Sequence, residues 1–147
     1  MVNDGMSDRI LGFCTEECLG ILCSVTTVYM DGTFKKVPTT FQQFYTLHGC
    51  YQGRMMPPAY FLLPDKSRQT YTRMFRLNQN DATRRNFVFR RPKFHVDFEV
   101  AVLKAVDICA PAAEVKGCAF HFVQAVRKNV QRAGWAEFYK NDMTVKK

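Results

Sequence analysis

Apolar positions along the chain follow two periods, and the switch between them marks the elements. In residues 15–23, TEECLGILC, apolar residues recur at helical spacing behind Thr15, which predicts a short helix capped by that threonine. From Val25 the pattern changes. TTVYM is β-branched and aromatic, DGT punctuates it, FKKVP and FQQFYTLHGCY follow, and AYFLLP comes after Gly53 and the Pro57-Pro58 pair, which predicts three strands in meander order. Ser67 then opens RQTYTRMFRLNQ, where Tyr71, Met74, Phe75 and Leu77 suit one helical face. RRPKFHVDF reads as a short strand delivered by a proline, and EVAVLKAVDICAP as an amphipathic helix ended by Pro111. EVKGCAFHF offers another strand. VQAVRKNVQRAGWAEFYK closes the chain's order as a basic helix with Gly134 as a kink or break.

The order helix, three strands, helix, strand, helix, strand, helix implies an α/β fold: a mixed sheet with helices packed on its faces. The pattern shows no internal repeat, low-complexity tract or Gly/Ser linker, so residues 1–147 read as one domain. Its parts are an N-terminal helix at 15–23, a core at 25–125 and a final basic helix at 122–140. A hydrophobic content of 47% with 14% aromatics excludes disorder, since that much apolar surface offsets the entropy lost on folding. No stretch approaches the ~18 apolar residues of a membrane span, and MVNDGMSDR lacks a cationic segment followed by an apolar one. The six cysteines, at 14, 18, 23, 50, 109 and 118, fit buried thiols in a reduced compartment better than a disulfide framework.

Charge narrows the choice of partner. With 21 Lys plus Arg against 13 Asp plus Glu the net charge is +8, which attracts polyanions, nucleic acid foremost; a solvated basic surface is the competing reading. Arg84, Arg85, Arg90, Arg91 and Lys93 precede the strand that carries Asp97, where neutralising charge would serve a phosphate backbone; Lys35 and Lys36 and, on the last helix, Arg127, Lys128 and Arg132 are further candidates.

Two acids stand out against this basic background. Asp31 lies at the first long strand and Asp97 at the end of FHVDF, and a strand reached through a crossover helix often runs parallel to the first, which would bring both carboxylates together. Such a pair suits Mg²⁺, which takes one or two carboxylates together with substrate phosphates. The alternatives are a turn at Asp31-Gly32 and an N-cap at Asp97. Cys118-x-x-His121 would need two more ligands for tetrahedral zinc, and only His48 and Cys50 are available to join it, so packing or hydrogen bonding is the favoured role.

The ordered blocks DGTFKKVPTTFQQFYTLHG, AYFLLPDKSRQTYTRMF, VDFEVAVLKAV and VKGCAFHFVQAVRKNVQ, spread over about residues 9–140, resemble the transposase domain of Mutator-like elements. The resemblance implies a ribonuclease H-like fold, with a five-stranded mixed sheet flanked by helices. It also implies an Asp-Asp-Glu triad that uses Mg²⁺ or Mn²⁺ to cut and join DNA, and a nuclear location. Asp31 in DGTF matches the first family aspartate, Asp97 in DFE the second, and Cys118 with His121 the C-x-x-H signature. The third acid, a glutamate, follows a helical insertion in the family, and the chain reaches Lys147 before it. Glu99 is a poor substitute, so the expectation is an incomplete or inactive catalytic domain; a non-catalytic nucleic-acid-binding or interaction module derived from a transposase is the alternative. Trp135, Phe138 and Tyr139 form an apolar patch at the end of the last helix that favours self-association.

Overall fold

The computed structural model describes residues 2–3, 8–33, 37–89, 92–97 and 99–135, with the side chains of residues 2, 3, 120 and 121 outside that set. The elements in chain order are β1 (Val2–Asn3), β2 (Leu11–Phe13), α1 (Glu16–Ser24), β3 (Thr27–Thr33), β4 (Gln43–Tyr51), β5 (Arg54–Leu63), α2 (Arg68–Arg84), β6 (Lys93–Val96), α3 (Val100–Cys109), β7 (Val115–Gly117) and α4 (Ala119–Arg132). The strands form one mixed sheet in the order β1-β2-β5-β4-β3-β6-β7. β2 through β5 pair antiparallel, whereas β3 with β6 and β6 with β7 pair parallel.

Local chemistry explains most boundaries. Thr15 caps α1 by accepting from the Cys18 N–H at 3.2 Å, and Ser67 caps α2 by accepting from the Thr70 N–H at 3.1 Å, each satisfying a donor the first helical turn leaves over. β4 and β5 join through Gln52 and Gly53, both with positive φ (50° and 75°), the two-residue turn whose twist matches the strands. Pro57 and Pro58 lie inside β5. They are tolerated because the ladder passes from Leu47 opposite Ala59 to Gly49 opposite Met56, so neither proline has to donate a hydrogen bond.

One face of the sheet is the core. Val28, Met30, Tyr45, Leu47, Phe61, Leu63, Phe94 and Val96 are buried together with Leu22 of α1, Tyr71, Met74 and Phe75 of α2, and Val102, Ala105 and Val106 of α3. At roughly 25 cal/mol per Å² of apolar area removed from water, this one continuous cluster is the main source of stability.

The structure departs from the sequence expectation in three ways. Five strands were expected and the described residues form seven, because ILGF forms β2 on the outer edge of β5 and β1 adds to it. Helices were expected on both faces, yet α1, α2 and α3 all share the one core, and α4 packs broadly against no other described element. EVKGCAFHF was read as one strand, but only Val115–Gly117 is extended; the helix starts at Ala119 and stops at Arg132, with Gly134 in the left-handed region (φ 76°). Phe138 and Tyr139 fall outside the described residues.

An ion cluster centred on buried Asp81 ties α2 to α1. Asp81, 5% exposed, accepts hydrogen bonds from Arg84 and from Arg85 Nε (3.3 Å), and Arg85 also meets Glu16 at 3.4 Å. Burial alone would raise the Asp81 pKa, but the two arginines outweigh it and hold the carboxyl below its ordinary 3.8. Because the folded value is depressed, the stabilisation is present above pH 3.8 and is lost as pH falls through the folded value. Asp81→Ala is therefore expected to lower unfolding free energy by about 1–3 kcal/mol at pH 7. Urea titrations of variant and wild type should converge in stronger acid.

Candidate functional site

The parallel pairing of β3 with β6 sets Thr27 opposite Lys93, Val28 opposite Phe94 and Tyr29 opposite His95. Carried two residues further, the same register brings Asp31 level with Asp97. The β6 to β7 ladder sets Val96 opposite Gly117, so one more step brings Asp97 level with Cys118, whose N–H donates to the Val96 carbonyl at 2.7 Å. Neighbouring strands lie roughly 4.8 Å apart. Asp31, Asp97 and Cys118 thus form a row at one end of the sheet, at the carboxyl ends of parallel strands.

Both plain alternatives for the acids fall away. Asp31 and Gly32 are strand residues, opposite Thr46 and Tyr45, and make no turn. The N-cap of α3 is Glu99, two residues beyond Asp97. Burial alternates along β3, so Val28 and Met30 face the core while Asp31 is exposed and its carboxylate carries little desolvation cost. Asp97 is half-buried.

Beneath this row lies a polar floor. Gln43 and Tyr45, both fully buried, face the core from β4 beside Gly32. A Cβ on Gly32 would collide with Gln43 Nε2 and come within 3.2 Å of the Tyr45 ring, which is why glycine follows Asp31. The Tyr71 hydroxyl lies 2.9 Å from Gln43 Oε1 and 3.1 Å from Glu99 Oε2, and the Tyr45 and Tyr71 rings are 5.3 Å apart. Gln43 Nε2 and the Tyr45 hydroxyl have no hydrogen-bond partner among the described residues.

The titration of these groups reports their crowding. Burial pushes the Tyr45 phenol well up, and Asp97, Tyr71, Glu99 and Asp31 add to the rise. Glu99 is raised by burial, an effect the Tyr71 hydrogen bond opposes, Asp97 reinforces and Lys66 counters. His48 is lowered by burial, with Asp31 pulling the other way. Three carboxylates, Asp31, Asp97 and Glu99, therefore act electrostatically on Tyr45. Sequence reasoning missed Gln43, Tyr45, Tyr71 and Lys66. The one available signal was Gln43 itself, a polar residue on the inward beat of the alternation Gln43, Tyr45, Leu47.

The remaining candidates scatter. Arg84 and Arg85 end α2, whose 17 residues carry them roughly 25 Å from its first turn, and they are engaged by Asp81 and Glu16. Lys93 begins β6 and pairs with Glu114 at 2.8 Å. These three stand at the end of the sheet away from Asp31 and Asp97, because β6 starts there and must run its length to reach Asp97. Arg127, Lys128 and Arg132 are exposed on α4, which begins directly after Cys118. Lys35, Lys36, Arg90, Arg91 and the His121 side chain lie outside the described residues.

His48 and Cys50 sit on β4, three strands from the β7 end that carries Cys118. Among the described residues no group of three or more His, Cys, Asp or Glu side chains is arranged to hold a metal. Cys14 and Cys23, pushed up by burial to about 12 and about 11, stay protonated as core thiols.

The class the structure defines is a mixed α/β sheet domain in which Asp31 and Asp97 stand level on adjacent parallel strands. A family model for the MULE transposase domain matches residues 27–125, from β3 into α4, and the chain belongs to that family. A comparison with curated proteins finds no match. Among the described residues no helix is long and apolar enough to cross a membrane.

Proposed function

We propose that this chain carries the catalytic core of a DNA transposase with ribonuclease H-like topology, in which Asp31 and Asp97 hold Mg²⁺ or Mn²⁺ and DNA is the substrate. The register that sets the two aspartates side by side is the observation that carries this reading. The strand order β5-β4-β3-β6-β7, antiparallel in its first half and parallel in its second, supports it; β1 and β2 extend that unit at one edge. Two hard carboxylate oxygens fit Mg²⁺ or Mn²⁺ and do not favour zinc. A bound ion would supply positive charge to the oxygens of a phosphate undergoing in-line displacement. Asp31 and Asp97 would orient it, and the cations of α4 would neutralise backbone phosphates beside the row. Work on DNA places the protein in the nucleus in this reading.

A second reading, DNA binding without cleavage, is favoured by one observation: no third carboxylate among the described residues joins the pair. End-labelled duplex DNA in Mn²⁺ separates the two. Nicking that disappears in Asp97→Asn supports the first, and salt-sensitive binding without nicking supports the second. Failure to bind DNA at low salt would overturn both.

α4 exposes Phe122, Val123 and Val126, and Trp135 is 67% exposed just beyond it. Of the patch expected to drive self-association only Trp135 is described, and the exposed apolar residues of α4 extend it. Sedimentation should show concentration-dependent dimers that Val126→Glu removes; a single monomeric species at every concentration would count against it.

A further inference from the structure

A polar chain under the acidic row runs from β4, beside Gly32, to the N-cap of α3. Gln43 and Tyr71 are wholly buried, and the Tyr71 hydroxyl reaches Gln43 of β4 at 2.9 Å and Glu99 of α3 at 3.1 Å. A phenol has one proton to give, and a carboxylate takes it more strongly than an amide oxygen. Tyr71 then donates to Glu99, and its oxygen is left to accept from Gln43. An amide turned end for end offers its NH₂ at that place, which also provides an acceptor for a buried donor that otherwise has none.

One end of this chain meets the residue next to Asp31, and the other ends two residues beyond Asp97. Gln43 and the Tyr45 ring fill the space where a Cβ of Gly32 would stand, so they hold the backbone next to Asp31. Glu99 is the N-cap of α3, and its carbonyl accepts from Val102 and Leu103 at 3.1 and 3.2 Å, so a fixed Glu99 anchors the start of the helix that follows Asp97. The span covers three separate elements, β4, α2 and α3, and ends on both sides of the row. Stability alone does not account for it, since apolar groups of the same shape serve a core as well.

We propose that Gln43, Tyr71 and Glu99 are positioning residues: a buried relay that sets the distance and orientation of Asp31 relative to Asp97, and Glu99 acts through Tyr71 and not as a third metal ligand. Its consequence for ion binding rests on the metal-site reading above; the coupling across the relay does not.

The test uses Tyr71→Phe, which removes one oxygen and keeps the ring, together with Glu99→Gln and Glu99→Ala. Backbone amide resonances are recorded without metal, and Mg²⁺ affinity is measured by titration. In Tyr71→Phe the amides of both Gly32 and Asp97 should shift, and Mg²⁺ affinity should fall by about tenfold, as is usual when a residue orienting a ligand is lost. Glu99→Gln keeps an oxygen for Tyr71 and should retain most of the affinity, whereas Glu99→Ala should not. Shifts confined to the neighbours of the Tyr71 ring would overturn the relay. So would a Glu99→Gln loss as large as that of Glu99→Ala, which would put the Glu99 charge on the ion itself. Should wild type bind no Mg²⁺, the metal reading fails and the amide shifts alone decide the relay. If Tyr71→Phe does not fold, Gln43→Leu is judged by the same Asp97 amide on the far side of the chain.

Discussion

Asp97→Asn is expected to weaken Mn²⁺ binding by at least about tenfold, and Asp31→Asn by a similar or smaller factor. The estimate follows from charge: two unit charges ~4 Å apart at an effective dielectric near 20 interact by roughly 4 kcal/mol, and ~1.4 kcal/mol already changes affinity tenfold. Asp97 is half-buried and Asp31 exposed, so water screens Asp31 more and the larger loss belongs to Asp97. Calorimetry on the purified chain reads both, with circular dichroism showing that each variant is folded. Unchanged affinity in both variants would detach ion binding from the row. No binding by folded wild type would remove the metal reading and leave a basic transposase-family scaffold.

Gly32→Ala is the most damaging single methyl group the structure predicts. The new Cβ would meet the Gln43 side chain and the Tyr45 ring. A flexible side chain at a surface would move aside, but Gln43 is fully buried and tethered to Tyr71, so the strain stays in place. Overpacking of this kind costs about 1–3 kcal/mol, a loss of roughly 3–10 °C in Tm for a chain this size. Thermal unfolding checks it. Shortening the obstacle with Gln43→Ser in the Gly32→Ala background should recover part of the loss, a non-additivity expected only of residues in contact. A Gly32→Ala protein as stable as wild type would mean that the floor beneath Asp31 is loose, and the relay argument would weaken with it.

Much of the fold was legible because it is written in short-range chemistry. Thr15 and Ser67 are caps on sequence grounds alone, Pro111 ends α3, and Tyr71, Met74 and Phe75 at helical spacing do face the core. β2 was missed because ILGF is too brief to show a period, and it is a strand only because the edge of β5 lies beside it. The end of the last strand was misread because CAFHF is as apolar as a strand should be; the turn at Cys118 depends on its bond to Val96 across the sheet.

The candidate site divides in the same way. Asp31 and Asp97 were singled out in the sequence, since acids in apolar surroundings are conspicuous and the ordered blocks resemble a known family. Arg84, Arg85 and Lys93 were close to Asp97 in sequence yet stand at the other end of the sheet, because helix and strand directions separate residues that the chain keeps adjacent. By itself, then, the sequence determined periodicity, caps, family membership and the identity of the two acids, all of which depend on composition and near neighbours. Only the tertiary structure decided that Asp31, Asp97 and Cys118 stand in one row and that Gln43, Tyr71 and Glu99 lie linked beneath it. Those facts depend on the register between distant strands and on which polar groups the closing core leaves without water, and neither is set by any local stretch of chain.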